Sequence, residues 1–271
     1  MNEPVGVGIA ALLGLIQGLT EFLPVSSSGH LALAQDLLGV PGGGIAFAVL
    51  LHAGTLLAIF LVFREGVWRL IRGGFSLLGS LFRPSRWSED AHLAAAVVIA
   101  TIPGALVGLF LESRIEAAFE STRVVALLLF VTAILLFSTR RARGERPVTL
   151  RDAAIIGVAQ ACAILPGISR SGATIATALL LGIARPRAAE FSFLAAIPLI
   201  LGSVVLELPD LIRSGQDGGV ASLVVGFVVS ALVGWAALTW LVKLVRQGAL
   251  HWFAGYCVAV GALALWLTRG A

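Results

Sequence analysis

Gln17-Gly18-Leu19-Thr20-Glu21-Phe22-Leu23-Pro24-Val25-Ser26-Ser27-Ser28-Gly29-His30 interrupts an apolar run that covers residues 5–40. A straight helix of that length would reach about 54 Å, far beyond a hydrocarbon core of about 30 Å. Pro24 cannot continue the hydrogen-bond ladder of the turn before it, and the serines and Gly29 behind it supply helix-start chemistry. The run therefore reads as two half-helices joined at a polar elbow, a re-entrant hairpin. A second run, 152–183, breaks in the same way at Leu165-Pro166-Gly167-Ile168-Ser169-Arg170-Ser171-Gly172-Ala173-Thr174.

Around these hairpins lies a chain of 271 residues, 58% hydrophobic and 13% charged. Soluble domains carry about 25% charged residues, so these proportions point to the bilayer as solvent. Further apolar segments at 43–63, 91–111, 123–139, 189–208, 219–242 and 250–268 have the length of membrane spans. The net charge of +4 comes from arginines in a few loops and not from an aromatic-interleaved patch, which argues against nucleic acid. Cys162 and Cys257 stand alone in apolar segments, without metal or disulfide spacing. The start lacks a basic region before its first apolar stretch, so no cleavable signal peptide is expected.

Loop charge orders the spans. Arg64, Arg69, Arg72, Arg83 and Arg86 lie within 64–90, and Arg140, Arg141, Arg143, Arg146 and Arg151 within 140–151. Arg185 and Arg187 follow the second hairpin, and Lys243 and Arg246 divide the last two spans. The segments 112–123 and 207–217 hold more acids than bases. If basic loops face the cytoplasm, six transmembrane helices plus two re-entrant hairpins satisfy every loop, with both termini outside. Reading either hairpin as a full span would place later basic loops on the wrong side.

The halves also resemble each other. A shift of 143 residues places Gln17 on Gln160, Ser26 on Ser169, Ser28 on Ser171 and Gly29 on Gly172. Each half is then one hairpin plus three spans, and an odd number of spans makes the second copy enter from the opposite face. The expected fold is an all-α polytopic membrane protein with an inverted-topology repeat. It forms one membrane domain over 1–271, with repeat 1 at about 5–139 and repeat 2 at about 152–268.

The elbows carry the chemistry. Gln17 and Glu21 are four residues apart and share one helical face. Glu21, His30 and Arg170 are ionisable groups inside apolar hairpins, where such groups need a partner or a wet cavity. A structural Glu21–Arg170 pair and a substrate site are compatible, because an anionic substrate could displace the pair. Both elbows lead into half-helix N-termini, whose free N–H groups and dipole attract anions. His52 and Thr55, in the first full span, could approach the site, but a satisfied buried histidine is the default reading.

These two motifs, in this order, resemble the paired signatures of the undecaprenyl-pyrophosphate phosphatase family, the bacitracin-resistance proteins. Phe191-Ser192-Phe193-Leu194-Ala195-Ala196-Ile197-Pro198 is similar to that family as well. The resemblance implies hydrolysis of a C55 isoprenoid pyrophosphate to the monophosphate, recycling a carrier for cell-wall synthesis at the bacterial inner membrane. It also implies a divalent cation, Mg2+ or Ca2+, with Glu21 as ligand and Gln17 as a second candidate. Many relatives carry Glu where this chain has Gln17, which removes one charge. On this reading Glu21, Ser27, His30 and Arg170 are catalytic. Ser27 or a water is the nucleophile, with Glu21 or His30 as its base. Gln17, Ser26, Ser28, Ser169, Ser171 and Thr174 would bind substrate, although each hydroxyl could equally be a helix cap. A homodimer is left open. The rival enzyme chemistry of histidine lipid phosphatases needs a second histidine after Ser169-Arg170, and none is there. The alternative function is a carrier or flippase for an anionic isoprenoid lipid phosphate.

Overall fold

The computed structural model describes residues 6–38, 45–80, 87–111, 115, 118–119 and 121–268. Among them regular structure is helical, apart from a single bridge between Arg146 and Ile183. The helices are α1 (Val7–Phe22), α2 (Ser27–Leu37), α3 (Ile45–Val62), α4 (Arg64–Ser80), α5 (Glu89–Phe110) and α6 (Thr122–Ser138). After them come α7 (Leu150–Cys162), α8 (Arg170–Leu180), α9 (Arg185–Gly218), α10 (Val220–Gln247) and α11 (Phe253–Leu267). Five segments are long and apolar enough to cross a membrane: Glu89–Phe110, Thr122–Arg141, Arg185–Leu206, Val220–Gln247 and Leu250–Leu267. A bent pair, Phe47–Val62 with Arg64–Gly79, makes a sixth if its two helices count as one span. The protein is an all-α polytopic membrane protein. Its outer surface is apolar, with Phe110 77%, Ile134 70% and Trp266 66% exposed, as a lipid-facing surface requires.

Both long apolar runs break where the prolines stand. Helix α1 ends at Phe22 and α2 opens at Ser27; α7 ends at Cys162 and α8 opens at Arg170. The helices of each pair pack on one another. The starts of α1 and α7, the starts of α2 and α8 and the ends of α2 and α8 are each 143 residues apart, the shift of the sequence repeat. Packing partners exchange between the halves too: α1 lies on α10 and α7 on α5, while α3 meets α10 and α9 meets α5. Equivalent glycines make the first two crossings possible. A Cβ on Gly14 would come within 2.7 Å of the Gly226 carbonyl, and one on Gly157 within 2.8 Å of the Ala100 carbonyl. Small residues at such positions let backbones approach in lipid, where packing, not water exclusion, joins helices.

Two boundaries differ from the sequence reading. The charged stretch after residue 63 is not simply a loop: the chain bends by 92° into α4. Glu65, Arg69 and Arg72 occupy one side of that helix, and Trp68, Ile71, Phe75 and Leu78 stand exposed on another. That is the pattern of a helix lying in the membrane interface. Arg69 and Arg72 anchor it to Asp90 at the start of α5, at 2.9 and 3.4 Å. The expected loop 207–217 is instead the continuation of α9 to Gly218. At 34 residues, α9 reaches about 51 Å and overshoots the bilayer. Most of the acidic 112–123 stretch lies outside the described residues.

The third motif sits at the middle of the bundle on α9. Phe193, 1% exposed, packs edge-on against Phe22 at 5.6 Å and stacks on Phe63 at 5.7 Å. It thus supports the residue beside Glu21.

Candidate active site

Glu21 is the last polar residue before the first break, and it is 5% exposed. Its Oε1 takes a hydrogen-bonded ion pair from Arg170 Nη2, across 149 residues of sequence. Its Oε2 accepts from Ser27 Oγ at 2.8 Å and from Gln17 Nε2 at 3.0 Å. Taking both ions of such a pair out of water costs several kcal/mol, so the pair is a poor stabiliser on its own account. Ser27 and Arg170 are the first residues of α2 and α8. Equivalent positions of the two half-helices thus grip the two oxygens of one carboxylate.

The elbows interlock through backbone groups. Ser26 adopts a left-handed φ of 69°, unusual for a residue with a Cβ. It is held there by its own side chain: Ser26 Oγ accepts from Gly167 N of the other elbow at 3.0 Å and from Gly29 N at 3.4 Å. Ser28 Oγ lies 3.3 Å from the same oxygen. His30 Nδ1 donates to the Ser26 carbonyl at 2.9 Å, which leaves Nε2 of the neutral ring to accept from the Tyr256 hydroxyl at 2.8 Å. Cys257 Sγ donates to the Pro24 carbonyl at 3.5 Å, so α11 braces the first elbow through two successive residues.

The second elbow is braced by α6. Thr132 Oγ1 donates to the Gly167 carbonyl at 2.8 Å and accepts from Ser169 N at 3.0 Å. Gly167 has φ 100°, and a Cβ there would lie 2.3 Å from the Val125 carbonyl, so only glycine fits. Ser169 caps α8 by accepting from Gly172 N at 3.1 Å. Ser171 Oγ donates to the Leu23 carbonyl at 3.4 Å, a second tie between the elbows. Thr174 bonds Ser192 of α9 and is fully buried.

The predicted residues therefore separate into two groups. Gln17, Glu21, Ser27 and Arg170 meet at one centre. Ser26, Ser169, Ser171 and Thr174 have hydroxyls committed within the protein as caps and ties, and both ring nitrogens of His30 are engaged with Ser26 and Tyr256. The structure adds a residue the sequence reading left structural. His52 Nε2 stands 3.4 Å from Glu21 Oε2, with Nδ1 donating to the Ala48 carbonyl at 2.8 Å. The signal for it was an ionisable residue in an otherwise apolar span. Thr55 Oγ1 donates to the His52 carbonyl at 2.9 Å.

A carboxylate holding a hydroxyl on one oxygen and a guanidinium on the other can take a proton and present a cation to an anionic substrate. The sequence matches the family model for the bacitracin resistance protein BacA over residues 10–263. The chain belongs to the BacA family. Among its relatives, an undecaprenyl-diphosphatase of Korarchaeum cryptofilum is 44% identical over 93% of this chain and 95% of its own. One from Christiangramia forsetii is 42% identical over 94% and 96%, and one from Desulfatibacillum aliphaticivorans 42% over 94% and 96%. The paired elbow motifs of this BacA-family chain are thus the segments that build the buried Glu21–Arg170 centre.

Proposed function

We infer that this chain is a membrane-embedded undecaprenyl-diphosphatase. It hydrolyses undecaprenyl pyrophosphate to undecaprenyl phosphate and inorganic phosphate, which recycles the lipid carrier for peptidoglycan synthesis and confers bacitracin resistance. The observation that carries this reading is Glu21, bonded at once to the Ser27 hydroxyl and the Arg170 guanidinium inside the BacA-family motifs.

The pyrophosphate enters between the elbows with its prenyl tail in lipid. Arg170 transfers from Glu21 Oε1 to the phosphate oxygens and offsets the charge that grows on them. Ser27 Oγ attacks the terminal phosphorus while Glu21 Oε2 takes the hydroxyl proton. The Oγ–P bond forms, the bridging P–O bond breaks, and the lipid monophosphate leaves. Water then cleaves the phosphoserine, giving inorganic phosphate and returning the proton to Ser27. Direct attack by a water held on Glu21 gives the same products, with Ser27 as its positioner. His52, beside Glu21 with its Nδ1–H fixed on Ala48, is placed to share the proton.

A divalent cation, Mg2+ or Ca2+, belongs to the same reading. Among the described residues no three His, Cys, Asp or Glu side chains gather to hold one. The donors at the centre are Glu21 and the Oε1 of Gln17, a buried oxygen without a partner. That set fits a hard cation that keeps several waters and draws further oxygens from substrate phosphate. When bound, such an ion supplies charge neutralisation to the transferred group.

Exchanged packing partners and equal helix spacing support an inverted repeat, about 5–139 against about 152–268, within one membrane domain. Basic loops then face the cytoplasm of a bacterial inner membrane, with both termini outside. Phosphate release from undecaprenyl pyrophosphate by detergent-purified protein, with and without chelator, tests the function. Wild type should release phosphate, and Arg170→Ala should be slowed by about 10²–10³-fold. Release of no phosphate by wild type would leave a carrier or flippase of the lipid phosphate.

A further inference from the structure

At the far end of α8 from Arg170, about 16 Å along the helix, the surface opens into a cavity of about 690 Å³. Arg143, Gly144, Glu145, Ala184, Arg185 and Arg246 line it. The three guanidinium groups come from three separate segments: the loop after α6, the first turn of α9 and the last turn of α10. Glu145 is the one acid in the wall, and among the described residues neither it nor any of these arginines forms an ion pair. The cavity also receives the N-terminus of α9, which has no side-chain cap. The positive end of a long helix dipole, ringed by guanidinium groups, favours an anion.

The walls are built rather than loose. Gly144 crosses Gly182 so closely that a Cβ would lie 2.1 Å from the Gly182 carbonyl. Arg146, next to Glu145, donates to the Leu181 carbonyl at 2.9 Å and clasps Asp152 at 2.6 and 2.9 Å. Arg185 donates to the Ala142 carbonyl at 3.4 Å and lies against Gly248. A preformed frame loses little entropy when a ligand arrives. Basic loops alone would report only topology. A concave site that gathers cations without ion-pair partners from a loop and two helices goes beyond that and matches basic pockets that hold phosphate headgroups between membrane helices.

We propose that this cavity, formed by Arg143, Arg185, Arg246 and the N-terminus of α9, binds a phosphate-bearing anion, separately from the Glu21–Arg170 centre. Its source is either inorganic phosphate or the headgroup of an anionic phospholipid. The full chain with Arg170→Ala, which disables the catalytic centre, distinguishes them. One arm titrates it with inorganic phosphate at constant ionic strength and follows the thermal midpoint. The other counts phosphatidylglycerol retained from mixed phosphatidylglycerol–phosphatidylcholine nanodiscs by native mass spectrometry. Adding Arg143→Gln and Arg246→Gln should weaken the responding arm by about tenfold, through loss of charge-assisted hydrogen bonds. A response in the first arm names free phosphate, and one in the second names the lipid. Glu145→Gln, which removes the opposing charge, should tighten the same arm by about threefold. In an otherwise unaltered chain, Arg143→Gln with Arg246→Gln should leave pyrophosphate hydrolysis unchanged. Binding that neither the arginine pair nor Glu145→Gln alters, in both arms, overturns the proposal.

Discussion

The two elbows share a plan and differ in what they carry. Ser27 and Arg170 hold the same place, the first residue of each half-helix, and Ser26 and Ser169 are the matching residues before them. Yet the first elbow brings a carboxylate and a hydroxyl, and the second brings a guanidinium. The position equivalent to Glu21 is Ile164, and the one equivalent to His30 is Ala173. Left-handed backbone falls on Ser26 in the first and on Gly167 in the second, so the turns are not copies. A glycine adopts that conformation freely, whereas Ser26 needs its bonds to Gly167 N and Gly29 N to stay there. Two similar elbows can thus carry different chemistry: on the proposed function, proton transfer falls to the first and charge stabilisation to the second.

The sharpest break of that division is Glu21→Gln. The amide can still accept from Ser27 but cannot take its proton, so phosphate release should fall by about 10³-fold with folding retained. A loss of that size from Ser169→Ala, which removes only a cap at the second elbow, would contradict the asymmetry. Arg170→Lys keeps the charge and loses the planar fork, and turnover should drop by about 10²-fold; full activity would reduce Arg170 to a point charge. His52→Asn should lower turnover by about tenfold, since it removes the imidazole that stands 3.4 Å from Glu21 Oε2. Unchanged turnover would return His52 to a structural role.

Smaller effects separate the caps. Ser26→Ala strands the buried Gly167 N–H and should destabilise by about 1–3 kcal/mol, against about 1 kcal/mol for the cap lost in Ser169→Ala. Thermal unfolding in detergent reads both, and equal shifts would mean the tie between elbows adds nothing. The base of the second hairpin has a clasp the first lacks. Asp152, at the loop end of α7, is held by Arg146 and capped by Thr149, while its equivalent is Ile9. The Arg146 hydrogen bonds bring the Asp152 carboxyl down from 3.8 to about 2. A depressed carboxyl stabilises the fold fully above its unfolded value, and that contribution fades as pH falls from about 4 towards about 2. The thermal midpoint of wild type should therefore drop across that window more than that of Asp152→Asn.

Much of this was legible in the chain. Pro24 and Pro166 inside apolar runs mark the breaks because proline lacks the donor a helix needs. The long apolar spans follow from the length of their segments, and the four residues that meet at the centre are among the ten the motifs offered. Other features were not legible. Helix α4 was hidden because the arginines at 64–72 read as a loop, although Trp68, Ile71, Phe75 and Leu78 recur at helical spacing. His52 could be seen as able to approach the site, but its contact with Glu21 could not, because that partner is 31 residues away in the chain and no local pattern measures the distance.

By itself the sequence determined the solvent, the breaks and the residue types at the elbows, since hydropathy, proline geometry and charge are local properties of the chain. Which hydroxyl caps a helix and which one faces the acid was decided only by the tertiary structure. Ser26 and Ser27 are neighbours of one kind, and the approach of Gly167 N to one and Glu21 to the other assigns their roles. That assignment depends on packing between halves 143 residues apart, where interhelical distance, not sequence order, sets each hydrogen bond.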